Sequence, residues 1–200
     1  MAAPVMLRWP GSAGAAMPGP DGTPVVLMLA TPATTLRDPA RALVRTALRS
    51  FLAPLVDCVP AMVPLHIEPG QAPRLDLPGR SVHLSISHEA GLTLAAVRDG
   101  GRVGIDVMRA TDAALPDWQA IAHDYLGTDA AARILAVAAA ERPRAFARAW
   151  TRHEAALKCL GLPLSEWTPA LARTLASCDL TDLPLPAGYV GAVALHRKGG

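Results

Sequence analysis

Charge is scarce in this 200-residue chain: 18% of its residues are charged and 51% are hydrophobic, against a globular average of about 25% charged. That balance excludes a disordered tail or a charged coiled coil and leaves enough apolar side chain for a real core. Aromatic residues amount to 4%, and 19 basic against 17 acidic side chains give a net charge of only +2. Too few rings are free to stack bases and no bulk charge draws a polyanion, so nucleic acid is not an expected partner.

The three cysteines, Cys58, Cys159 and Cys178, are odd in number and form no CxxC. A disulfide framework and a cysteine zinc site are thereby excluded, and a reduced cytoplasmic location is expected. No run approaches the roughly 20 apolar residues of a membrane helix, and no basic segment followed by an apolar one marks a secretory signal. Also missing are GxxxxGK(S/T), GxGxxG, GxSxG and HExxH, the common nucleotide and hydrolase signatures. Lysine is the rarest charge, with only Lys158 and Lys198 beside seventeen arginines.

What is present is a mixed α/β pattern. Residues 1–24 read as a flexible lead-in, and Val25–Ala30 as a short strand closed by Thr31-Pro32. From Asp38, Leu43, Ala47, Leu48, Phe51 and Leu52 mark one face of a helix, with Arg37, Arg41, Arg45 and Arg49 striped beside it. A proline-rich stretch from Pro54 to Pro78 is expected to be irregular around a strand at Val63–Ile67. Val82–Ser87 and Leu92–Val97 predict two strands joined by a His88-Glu89-Ala90-Gly91 turn, and Arg102–Met108 a third.

Helices follow over Asp117–Leu126, Thr128–Ala140 and Arg144–Leu160, the last introduced by Pro143 and stopped by Gly161. Tyr189–Leu195 is the closing strand and echoes Gly91–Val97. The echo predicts two similar α/β halves, over residues 25–100 and 101–200.

Ser87 and His88 are adjacent on a strand, so their side chains face opposite ways and cannot form a nucleophile–base pair. Three segments remain: Ser85–Glu89, Val103–Met108 and Phe146–Lys158. In the third, Trp150, Glu154 and Lys158 share one helix face at steps of four. Singly, Asp106 reads as a turn or cap residue, Glu154–Lys158 as an exposed pair, and His88 as a polar turn residue. Together they are what a magnesium-assisted phosphoryl transfer needs.

Val103-Gly104-Ile105-Asp106, then Trp150-Thr151-Arg152-His153-Glu154-Ala155-Ala156-Leu157-Lys158, preceded by Ser87-His88, resemble in order and spacing the motifs of the 4′-phosphopantetheinyl transferases. Those motifs are a (V/I)GxD strand, a W-x-x-K-E-A-x-x-K helix and a Ser-His turn. The resemblance covers about Gly70 to Leu164. It implies an α+β fold of two similar halves packed as a pseudo-dimer, and transfer of phosphopantetheine from coenzyme A to a serine of an acyl or peptidyl carrier protein. A monomer dependent on Mg²⁺ is expected.

By position it implies that Asp106 and Glu154 hold the metal, that Ser87 and His88 contact coenzyme A, with His88 on a phosphate, and that Lys158 stabilises or protonates the departing phosphate. Glu154 or a metal-bound water would serve as base. Three departures qualify this. Met108 stands where many members have a second acid, and a thioether is a poor magnesium ligand; members that lack that acid use the residue after the turn histidine, so the resemblance implies Glu89 as third oxygen donor, with a solvated hairpin glutamate as the plain alternative. His153 replaces the motif's lysine and could contact a phosphate or the incoming serine. Arg74 stands in for a Gly-Lys-Pro lysine as a phosphate contact.

Arg41, with Arg45 beside it, is the best further supply of positive charge for the phosphates. Arg144, Arg148 and Arg152 form a second stripe that could receive an acidic carrier helix. A solvated helix face is the plain alternative for both stripes. A member that has lost turnover through Met108 and His153, and only binds coenzyme A or carrier, is the nearest rival reading.

Overall fold

Alternation of apolar side chains on both faces of the strands dictates a layered fold, because each sheet must bury two surfaces. The computed structural model describes residues 3–11, 18, 22–33, 37–68, 71–110 and 117–197, without the Arg37 side chain. In chain order the elements are β1 (Val5–Trp9), β2 (Val25–Ala30), α1 (Arg37–Leu52), β3 (Leu65–His66), β4 (Arg74–Leu75), β5 (Val82–Glu89), β6 (Leu92–Asp99) and β7 (Val103–Arg109). Then come α2 (Trp118–Ile121), which runs into a π-helical turn over Ala122–Leu126, α3 (Thr128–Ala136), α4 (Arg142–Leu160), α5 (Pro169–Leu175), β8 (Cys178–Asp182) and β9 (Tyr189–His196).

The main sheets have the orders β1-β2-β6-β5 and β7-β9-β8, and β3 and β4 form a separate two-stranded ladder. Every neighbouring pair is antiparallel except β1 with β2. In the first sheet the chain runs β2, α1, β5, β6 and inserts β6 in the middle; in the second it runs β7, α4, β8, β9 and inserts β9 in the middle. The echoing segments Gly91–Val97 and Tyr189–Leu195 fall on these two central strands.

Val44, Leu48 and Leu52 of α1 pack on Leu27, Leu29 and Val97 of the first sheet. The opposite strand faces, with Val26, Leu94 and Ala96, meet Ile105, Val107 and Val193 of the second sheet. The far face of that sheet, Ala192 and Ala194, carries Ala155, Ala156 and Cys159 of α4. The layers are thus helix, sheet, sheet, helix. Alanines bring α4 close, and Gly104 brings it closer: a Cβ there would lie within the backbone of Ala155 and Cys159. Asp106, two residues on, therefore shares the strand face beneath α4.

β5 and β7 meet along a seam built from side chains. Ile105 N donates to Ser85 Oγ (3.1 Å), Val107 N to Ser87 Oγ (3.2 Å) and Arg109 N to Glu89 Oε2 (3.3 Å). Alternate residues of one strand thus satisfy alternate amides of the other. At the far end the buried Arg98 donates through Nε to Gly22 O (2.9 Å) and through Nη1 to Arg102 O (2.8 Å) and His196 O (3.3 Å).

Several expectations need correction. Val5–Trp9, assigned to the lead-in, is a strand paired with β2. His88 and Glu89 belong to β5, and the turn is only Ala90-Gly91, where Gly91 takes φ +87°. The expected strand Val63–Ile67 is reduced to Leu65–His66, and the helix from Thr128 stops at Ala136. α5 and β8 had no expectation, since Cys178-Asp-Leu-Thr-Asp is too polar to stand out as a strand. Among the described residues no helix is long and apolar enough to cross a membrane.

Candidate functional site

A cleft of about 500 Å³ opens where α1, β5, β7 and α4 converge. Arg41, Ser87, His88, Glu89, Asp106, Met108, Trp150, Glu154 and Lys158 all line it. α4 is a regular helix with an αL glycine, Gly161, at its end, so its steps of four put Trp150, Glu154 and Lys158 on one wall. Facing them, Asp106 lies buried at the end of the Gly104 approach.

Asp106 Oδ1 accepts from Lys158 Nζ at 2.6 Å and from Ser87 Oγ at 2.7 Å. Lys158 Nζ also lies 3.4 Å from Ser87 Oγ. Ser87, expected to bind coenzyme A directly, spends its hydroxyl on Asp106 and on the Val107 amide, and so orients the carboxylate. Burial raises the Glu154 carboxyl above the ordinary carboxylate value; the Lys158 charge opposes the rise and the Asp106 charge adds to it. A half-buried acid beside a second acid is what an added cation relieves.

Asp106 and Glu154 offer the hard oxygens that magnesium requires, and one or two carboxylates suffice when water and phosphate complete the shell. The donor set fits that ion. Glu89 shares the cleft, but its Oε1 accepts from Ala90 N (2.7 Å) and its Oε2 from Arg109 N. Among the described residues no three His, Cys, Asp or Glu side chains converge as a metal centre. Glu89 is thus brought to the cleft but not into one cluster with Asp106 and Glu154. Met108 lines the cleft and packs against the Phe146 and Trp150 side of the second half.

Three expected site residues lie elsewhere. His153 faces a separate cavity of about 410 Å³ beside Arg133, Arg148 and Arg152. One residue along a helix is a rotation of about 100°, which carries it off the Glu154 face. Its ring lies 6.3 Å from that of Trp150, its Nε2 is buried without a hydrogen-bond partner among the described residues, and burial lowers its pKa. Arg45 Nη2 donates to Ile67 O at 3.1 Å, which turns it onto the loop before β4. Arg74 pairs with Asp76 at 2.9 Å and lines a different cavity, with His83 and Arg102.

Of the first arginine stripe, Arg41 alone lines the cleft, paired with Asp38 at 3.0 Å; the Arg37 side chain, Gly70 and Lys198 lie outside the described residues. The second stripe is partly neutralised, because Arg148 and Arg152 both bind Asp182 of β8. The sequence reading missed Thr93, whose hydroxyl lies 2.6 Å from His88 Nδ1. A threonine facing an apolar layer, directly opposite the histidine in a hairpin, was the available signal.

No curated protein matches the chain. Residues 102–194, from the start of β7 through β9 and including Asp106, Glu154 and Lys158, match the family model of the 4′-phosphopantetheinyl transferase superfamily, a match that supports a phosphopantetheinyl transferase activity at the level of that family.

Proposed function

We propose that the protein transfers the 4′-phosphopantetheinyl group of coenzyme A to a serine of an acyl or peptidyl carrier protein, with Mg²⁺, releasing adenosine 3′,5′-bisphosphate, and that it is of the two-half type. The observation that carries this reading is the meeting of Asp106, Glu154 and Lys158 across a cleft whose other wall supplies Arg41 and His88. The repeated strand order of the two sheets supports the two-half arrangement.

In this reading Arg41 and His88 bind the phosphates of coenzyme A from the first half. Asp106 and Glu154 hold the metal, which when bound neutralises charge on the pyrophosphate. Glu154, or a water that the metal would hold, accepts the proton of the carrier serine. The serine oxygen forms its bond to the pantetheine-side phosphorus as the bond from that phosphorus to the bridging oxygen breaks. Lys158 donates to the departing phosphate, and Ser87 keeps Asp106 oriented. His153, Arg45 and Arg74 have no part in these steps.

The test is intact-mass spectrometry of apo carrier proteins incubated with the protein and coenzyme A, with Mg²⁺ or with EDTA. The expected result is a metal-dependent gain of one phosphopantetheinyl group on at least one carrier, and the carriers modified identify fatty-acid, polyketide or nonribosomal-peptide synthesis. No gain on any carrier, from folded protein that binds coenzyme A, overturns the transferase in favour of a silent binding module.

A further inference from the structure

The first six residues of β6, Leu92-Thr93-Leu94-Ala95-Ala96-Val97, are apolar but for one. Thr93 is 1% exposed, and a hydroxyl held in such surroundings is costly unless hydrogen-bonded. Thr93 Oγ1 donates to Thr31 Oγ1 at 3.3 Å and lies 2.6 Å from His88 Nδ1. Thr31 is itself fixed, since its amide donates to Gly91 O at 3.2 Å and Pro32 follows it. Three segments thus meet in one relay: the end of β2, the start of β6 and the end of β5.

A hydroxyl has one proton. With that proton given to Thr31, the short contact to His88 is an Nδ1–H donating to Thr93 Oγ1. We propose that Thr93 is a positioning residue that accepts from His88 Nδ1–H and fixes the ring, so that an anionic phosphoryl ligand in the cleft is met by the other ring nitrogen, Nε2, carrying the second proton of the imidazolium. The role in binding rests on the reading of this cleft as a coenzyme A site; the state of the ring does not.

Thr93→Val keeps the shape and removes the hydroxyl, while Thr93→Ser keeps the hydroxyl. Thr31→Val removes the acceptor and frees the Thr93 proton to point back at the ring. Two readouts apply: the ¹⁵N shifts of the His88 ring in the ligand-free protein, assigned with His88→Gln, and calorimetric affinity for adenosine 3′,5′-bisphosphate. Wild type and Thr93→Ser are expected to show a protonated Nδ1. Thr93→Val should lose that signature and bind the bisphosphate about tenfold more weakly, the scale of one lost hydrogen bond. Thr31→Val, which leaves Thr93 and its side chain in place, should shift the ring toward the Nε2–H form.

An unchanged ring signature in both valine variants overturns the inference. So does an unchanged affinity in a folded Thr93→Val whose ring has changed, for the ring would then be set without consequence for binding. If the wild type binds neither the bisphosphate nor coenzyme A, the functional reading of the cleft fails, while the ring spectra still decide what Thr93 does.

Discussion

The two main sheets, each with its helix, share a three-strand order, β2-β6-β5 and β7-β9-β8, yet bring different chemistry to the cleft. The second brings Asp106, Glu154 and Lys158, gathered by a glycine and alanines that let α4 lie close on its sheet. The first brings Arg41 and His88, gathered by a helix packed on larger side chains and by a hairpin end. Where helix and strand approach most closely, paired carboxylates and a lysine can act on one atom. Arg41 and His88, on the other wall, are in the proposed function the groups that recognise an extended anion. In the proposed function, the second sheet with α4 forms a reacting half and the first sheet with α1 a holding half.

The largest effects should come from the reacting half. Asp106→Ala and Glu154→Ala are each expected to lower metal-dependent carrier modification on the order of 10³-fold with the fold retained by circular dichroism. Full activity in either variant would break the division. In the holding half, Arg41→Ala is expected to raise the KM for coenzyme A about tenfold with little change in kcat. Steady-state kinetics decide this, and a loss confined to kcat would move Arg41 among the reacting groups.

Smaller effects should appear in stability. Because burial raises the Glu154 carboxyl, its protonated form is favoured in the folded state, and stability falls as pH rises from the unfolded value of 4.5 through the folded one. Glu154→Gln should therefore have a higher Tm than wild type at neutral pH, and added Mg²⁺ should raise the Tm of wild type but not of the variant. Thermal melts with and without the ion test both.

The smallest effect concerns His153, whose pKa is lowered by burial. The unfolded state then binds the proton more readily, so this group removes stability as pH falls below about 6.5. His153→Gln should flatten the acid side of the Tm profile and leave carrier modification within about twofold of wild type, since the side chain lies off the cleft. A large drop in turnover would return His153 to the site.

Much of this was legible in order and spacing. Val25–Ala30 stood out as an apolar run, α1 and α4 as periodic faces, and the step from Gly104 to Asp106 and the stripe of Trp150, Glu154 and Lys158 depend only on helix and strand periods. What escaped is tertiary. That Ser85, Ser87 and Glu89 side chains serve backbone amides of β7 follows from two strand edges coming together, which no local pattern encodes. Arg148 and Arg152 looked like an open stripe because Asp182 sits in a polar strand that carried no strand signal. His153 was misplaced against helical arithmetic: next to Glu154 in sequence, it had to face another way.

Arg98 sets how the molecule comes apart. Its guanidinium is held by carbonyls from the approach to β2, the start of β7 and the end of β9, so parting the two sheets would break its bonds to Arg102 O and His196 O together. Opening at that end and loss of the whole fold are therefore one event, and the chain should melt in a single calorimetric transition rather than as two successive units.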